Sequence, residues 1–184
     1  MSSPRYDVPK AAPAPLRLVQ LFVNTADHEH DREWPSDPEA LETWCRAQGL
    51  PSWTPTDEDL ATAKKLREAL RAMLRSNGGE AIDASAVAAL NTTASAAILT
   101  TRLDANGRLT FMPLAPGFDG VLGALVAVVF ASMLDGTWSR LKACRQCRWS
   151  FYDYSRNHSA RWCSMSICGN RTKTRAYRRR SRTA

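Results

Sequence analysis

The sequence predicts a mainly α fold with a β-hairpin: a helical N-terminal domain, then a small basic module rich in cysteine that ends in a helix. Three observations predict it. Apolar residues recur at helical spacing between residues 37 and 135. One stretch, 97–114, interrupts them with two β-prone arms around Asn106-Gly107. Charge then changes sign: residues 1–139 carry 12 Lys+Arg and 17 Asp+Glu, a net of −5, whereas residues 140–184 carry 13 Lys+Arg and Asp153 alone, a net of +12. A split this sharp separates an acidic segment from one built to meet a polyanion.

The elements follow in order. Residues 1–15 are rich in Pro and Ala, lack an apolar signal-like run and are expected to be disordered. Residues 16–139 then form the helical domain. Leu16–Val23 (LRLVQLFV) suits either a strand or a buried helix. Residues 24–35 read as a polar loop. Asp37 caps a helix with Pro38 in its first turn and Gly49 as its stop. Thr56 and Asp59 form a capping box, with Asp in the usual Glu position, for a helix ending at Asn77-Gly78-Gly79. A short helix is expected over 85–90, the hairpin over 97–114, and a central helix, apolar on nearly all sides, over 118–135. The uncharged run 120–134 is too short to span a bilayer and reads as a buried helix, so no membrane partner is expected.

The five cysteines are Cys45, Cys144, Cys147, Cys163 and Cys168. With no secretory run ahead of them, the expected compartment is the reducing cytoplasm, where clustered cysteines mean metal more often than disulfide. Cys144-x2-Cys147 and Cys163-x4-Cys168 supply four thiolates from two turns, the donor set of a closed, structural Zn2+ site. A redox Cys-x-x-Cys leaves the second pair unexplained. His158 is the alternative fourth ligand. His28 and His30 read as a solvated loop, and Cys45 as a buried helix cysteine. A knuckle at 144–147, a strand after it and a helix capped by Ser164 together make residues 140–184 a treble-clef-like zinc finger with a basic C-terminal helix. Trp149, Phe151, Tyr152 and Trp162 are expected to form its miniature core.

Arg171, Arg175, Arg178 and Arg182 recur at helical spacing beyond the last cysteine, and Lys173, Arg179 and Arg180 widen that stripe. Arginine donates two parallel hydrogen bonds to phosphate or guanine, so Arg171, Lys173, Arg175, Arg178, Arg179 and Arg180 are the candidate nucleic-acid contacts. Arg145, Arg148, Arg161 and Arg171 are also placed to offset the charge of the thiolates.

Cys168-Gly169-Asn170-Arg171, with the Cys-x-x-Cys, Phe151-Tyr152-Asp153, Ser155-Arg156-Asn157 and Arg161-Trp162-Cys163-Ser164-Met165, resembles the CGNR zinc-finger family over about 141–180. Phe22-Val23-Asn24-Thr25, Trp44 with Gly49-Leu50, and the run 66–71 (LREALR) resemble the ABATE domain that precedes that finger. Leu21 departs from the acidic residue that often stands before the Phe-Val-Asn-Thr stretch. The resemblance implies a stress-induced transcription regulator that binds DNA, with the N-terminal domain serving dimerisation or the sensing of a ligand or partner. An RNA-binding or ribosome-associated module, or an adaptor for an acidic protein, are the alternatives. No nucleophile–base spacing or phosphate-cradling glycine loop is present, so no enzyme is expected.

Overall fold

The structure, a computed structural model, describes residues 10–181, the side chains of 176, 177, 179 and 180 excepted. Its described residues form α1 (Leu16–Val23), β1 (Ala26–Asp27), β2 (Arg32–Glu33), α2 (Pro38–Ala47), α3 (Asp57–Ser76), α4 (Ala84–Ala96), β3 (Leu99–Leu103), β4 (Leu109–Pro113), α5 (Gly117–Leu134), β5 (Leu141–Ala143), β6 (Ser150–Tyr152) and α6 (Asn170–Arg180). The strands pair as three antiparallel hairpins, β1–β2, β3–β4 and β5–β6. The fold is thus mainly α, with a zinc-finger module after a helical domain.

Leu16–Val23 is a helix. Leu16, Val19, Phe22 and Val23 are all buried, which a period near 3.6 allows and an alternating strand does not. The capping signals form as read. Asp37 accepts from the Ala40 amide at 2.8 Å, and Gly49 leaves α2 at a φ of 78°. Thr56 accepts from the Asp59 amide at 3.2 Å while Asp59 accepts from the Thr56 amide at 2.9 Å. Asp therefore completes the box that Glu usually closes. The helix expected over 85–90 runs on to Ala96, because residues 91–96 are small and helix-compatible yet bury no periodic face. The loop over 24–35 folds back on itself as the β1–β2 hairpin, with Ala26 opposite Glu33 and Asp27 opposite Arg32.

The central helix α5 is 18 residues long with a mean hydropathy of 2.0, long and apolar enough by composition to cross a membrane. The helix is longer than the uncharged run 120–134, because Gly117 to Asp119 extend it at the N-terminal end. Its Val121, Leu122, Leu125, Val126 and Val129 lie in the protein core with α1, α3 and α4. The β3–β4 hairpin lies along α5 with Thr101 opposite Phe111. Gly123 permits this approach: a Cβ there would sit 2.4 Å from the Ala97 Cβ and 2.8 Å from the Pro113 Cβ.

The core does not stop at residue 139. Leu141, Ala143 and Tyr152 of the third hairpin are buried in the same cluster as α1, α3 and α5. Residues 10–15, expected to be disordered, also belong to the folded body; residues 1–9 of that expectation lie outside the described residues. Gln20 is the reason. Its amide donates to the Lys10 carbonyl at 3.0 Å and accepts from the Ala12 amide at 2.7 Å, and the Tyr152 amide donates to Lys10 O at 2.9 Å.

Candidate metal centre and nucleic-acid interface

Strand alternation divides the third hairpin between two cores. Leu141 pairs with Tyr152 and Lys142 with Phe151. Side chains of successive strand residues point to opposite faces. Leu141 and Tyr152 therefore enter the main core, while Phe151 joins Trp149 and the cysteines of a second, smaller one. Of the aromatics expected in the finger's core, Trp149, Phe151 and Trp162 pack there and Tyr152 does not.

Between β5 and β6 the chain makes the knuckle. The Cys144 amide donates to Trp149 O and the Arg148 amide to Cys144 O, both at 2.9 Å. Arg148 takes a φ of 61°, a left-handed conformation that costs about 1–2 kcal/mol in a non-glycine residue. On the other side, Ser164 caps a wide turn over Met165–Gly169 by accepting from the Ile167 amide at 3.3 Å, and Cys168 is carried inward by that turn. Gly169 fits closely there: a Cβ would meet Met165 Sδ of the same turn at 2.9 Å and the Trp162 ring ahead of it at 3.7 Å.

All four thiols are buried, and their sulfurs lie within 4.8 Å of one another. Cys147 and Cys163 are 3.6 Å apart, Cys163 and Cys168 3.7 Å, and Cys168 and Cys147 3.6 Å. A tetrahedron with metal–sulfur bonds of about 2.3 Å has edges of about 3.8 Å, so the cluster has the size zinc requires. The same closeness sets the protonation of the thiols. Hydrogen bonds from Cys147 and Cys163 pull the Cys144 thiol down, while hydrogen bonding with Cys144 pushes Cys147 and Cys163 up. Burial, then the charge on Cys144, pushes Cys168 up. Thiols packed this closely cannot all ionise without a cation among them. The chain therefore holds one structural zinc through Cys144, Cys147, Cys163 and Cys168.

The other candidate ligands stand elsewhere. The His158 carbonyl, at a residue with a φ of 52°, accepts from Lys142. His28 Nε2 meets Glu68 at 3.2 Å and His30 Nδ1 meets Asp27 at 2.7 Å. Cys45 is buried in α2, and burial together with the Glu42 charge pushes its thiol up to about 12. Among the described residues, the cysteine quartet is the only cluster of this kind.

Asp153, the only acid after residue 139, is fully buried. Burial opposes its charge, but hydrogen bonds from Lys142, from the Ser155 hydroxyl and from the Ser155 and Ala160 amides win, holding its pKa at about 2. The Lys142 ammonium stands 2.8 Å away and is itself buried. The pair shapes the loop that carries Ser155 and Asn157, and it removes the finger's one negative charge from the surface.

The basic helix leaves the cluster directly. Arg171, Lys173, Arg175 and Arg178 are exposed, while the side chains of Arg179 and Arg180, and all of Arg182, lie outside the described residues. Asn170, Arg171, Thr174, Arg175 and Arg178 line one open groove, the face that the spacing predicts. Asn170 donates to the Ser166 carbonyl at 3.1 Å, a structural use. Gln146, at the tip of the knuckle and unremarked in the sequence, accepts from Arg175 at 3.3 Å. Two of the four arginines expected to offset the thiolates have other partners: Arg145 donates to the Gly78 carbonyl at 2.6 Å, and Arg171 is paired with Glu29.

The finger is joined to the helical domain by buried polar contacts. Asn24 donates to the Ser150 carbonyl at 2.9 Å and accepts from the Ser150 amide at 2.7 Å, completing strand β6 as a neighbouring strand would. Asn77 donates to Trp138 O at 2.8 Å and Leu141 O at 2.9 Å. Arg71, buried in α3, donates to the carbonyls of Val23 at 2.6 Å and Arg148 at 2.9 Å while Glu68 supplies its countercharge at 3.0 Å.

A helical domain carrying a four-cysteine zinc finger is the class of protein that this fold and site define. The chain belongs to the ABATE family, "Putative stress-induced transcription regulator", matched over residues 16–137. Residues 140–181 match the CGNR zinc finger. No curated protein matches the chain.

Proposed function

We propose that this protein is a transcription regulator that binds duplex DNA through α6, in the cytoplasm, and that it is not an enzyme. The observation that carries the reading is the one-sided charge of the finger. Its only carboxylate, Asp153, is buried against Lys142, while Arg171, Lys173, Arg175 and Arg178 stand exposed beside the buried cysteines. Zinc fixes the direction in which the helix leaves the body. Phosphate contacts then supply affinity, and side chains near the finger, Arg175 above all, supply sequence preference.

The helical domain serves association or sensing in this reading. Copies pair through apolar residues that the fold leaves exposed, Ile98, Leu103 and Leu109 on the hairpin and Leu134 at the end of α5. Most of the apolar residues of α3, and those of the first three turns of α5, face the core instead. Light scattering at micromolar concentration should give a dimer mass, and a strictly monomeric mass rejects pairing. The test of the main reading is binding of the zinc-loaded chain to duplex DNA, single-stranded RNA and an acidic polypeptide. Tightest binding to duplex with sequence discrimination supports it. Tightest binding to RNA favours an RNA-binding module, and binding only to the polypeptide favours an adaptor.

A further inference from the structure

The first arginine of the α6 stripe is already engaged. Arg171 pairs with Glu29, a residue 142 positions away on the β1–β2 turn of the helical domain. The two partners differ in exposure. The Arg171 side chain is 49% exposed, open to an outside ligand, whereas that of Glu29 is 17% exposed and held by its surroundings. The turn that carries Glu29 is built for the position. The Glu29 amide donates to Asp27 Oδ1 at 3.1 Å, Asp27 also meets His30, and the Trp34 amide donates to Thr25 O at 3.0 Å. Glu33, on the returning strand, is clamped by Arg67 at 2.7 and 3.0 Å. Glu29 is thus presented by a braced hairpin to Arg171, which with Arg175 and Arg178 lines the open groove of α6.

We infer that Glu29 is an intrachain competitor for the nucleic-acid phosphate that Arg171 would otherwise take, so that the helical domain restrains the binding face of the finger. This rests on the reading of α6 as the contact helix. A carboxylate on Arg171 occupies the same guanidinium edge that a phosphate needs, and the two cannot share it fully. Binding then requires the clasp to open. Anything that moves the β1–β2 turn changes affinity without touching α6, which links the helical domain to the finger's output by a defined ion pair.

The test is a double-mutant cycle on the full, zinc-loaded chain, read with duplex DNA and, separately, with inorganic polyphosphate as a polyanion without bases. Glu29→Gln should tighten binding about two- to fivefold, the range of a partly exposed ion pair. It should also steepen the salt dependence by up to about one phosphate contact. In an Arg171→Ala background the same change should lose most of that gain. Glu58→Gln, an exposed acid in the first turn of α3, controls for net charge alone. Equal gains from Glu29→Gln with and without Arg171, or a gain matched by Glu58→Gln, overturn the clasp. Coupling seen with polyphosphate while duplex DNA fails to bind keeps the clasp and rejects the DNA reading. Coupling absent from both ligands rejects the clasp.

Discussion

At the scale of single residues, two polar side chains do work that their types alone do not announce. Asn24 supplies the amide that pairs with both backbone groups of Ser150. Asn24→Ala strands the buried Ser150 N–H, while the Ser150 carbonyl keeps the Gln20 amide as a donor at 3.2 Å. The expected outcome is a loss of about 1–3 kcal/mol in chemical denaturation, with the zinc content unchanged. Asp153 carries a second prediction. Its pKa is lowered from 3.8 to about 2 in the folded chain, so its contribution is complete above its ordinary value and is lost as pH falls toward 2. Asp153→Asn should cost about 3–5 kcal/mol near pH 7, since Lys142 is left buried without its countercharge. That gap between variant and wild type should narrow as pH drops from about 5 to 2, and a gap that stays constant removes the ion pair as its cause.

The element scale is where sequence and structure diverge in instructive ways. The metal ligands were legible because two Cys pairs at fixed spacing have few other uses, and the caps of α2 and α3 were legible because their hydrogen bonds are local. Residues 16–23 were ambiguous, since a run of eight with six apolar positions fits both periods. The full length of α4 was hidden because residues 91–96 bury almost no apolar surface. Phe151 and Tyr152 read as a single aromatic cluster, and only the strand register sends them to different cores. The role of Gln146 depends on the knuckle and α6 meeting across 29 residues, which no local pattern encodes. For α6, changing Arg178 and Arg179 to Ala should weaken binding to all duplexes alike and flatten the salt slope by up to about 2. Arg175→Ala should relax preference at one base pair, at a cost of about 1–3 kcal/mol, and Gln146→Ala should mimic it in part. Competition titrations with variant duplexes separate the two classes, and identical behaviour of all these variants contradicts the assignment of readers and anchors.

At the scale of the whole molecule, the charge boundary near residue 139 is not a boundary of packing. Leu141, Ala143 and Tyr152 complete the core that α1, α3 and α5 begin, and Asn24, Asn77 and Arg71 fasten the finger to it. A fragment ending at Gly136 lacks Trp138 as well as these three, all buried in that core. Such a fragment should unfold well below the melting temperature of the whole chain in calorimetry, and equal stability means the finger adds nothing to the core. Zinc removal should act first on the finger itself. Structural zinc contributes on the order of 10–16 kcal/mol of apparent binding energy in finger peptides, so the cysteine cluster and the base of α6 should lose their order together. The central claim is that a zinc-ordered basic helix grips DNA, and its most direct test is the salt dependence of duplex binding with and without the metal. Four to six phosphate contacts from Arg171, Lys173, Arg175, Arg178, Arg179 and Arg180 give an expected slope of log K against log salt of roughly −4 to −5 for the zinc-loaded chain. The slope and the affinity should both collapse on chelation or in Cys163→Ser. A slope near zero, or a metal-free chain that binds as the loaded one does, would contradict the claim.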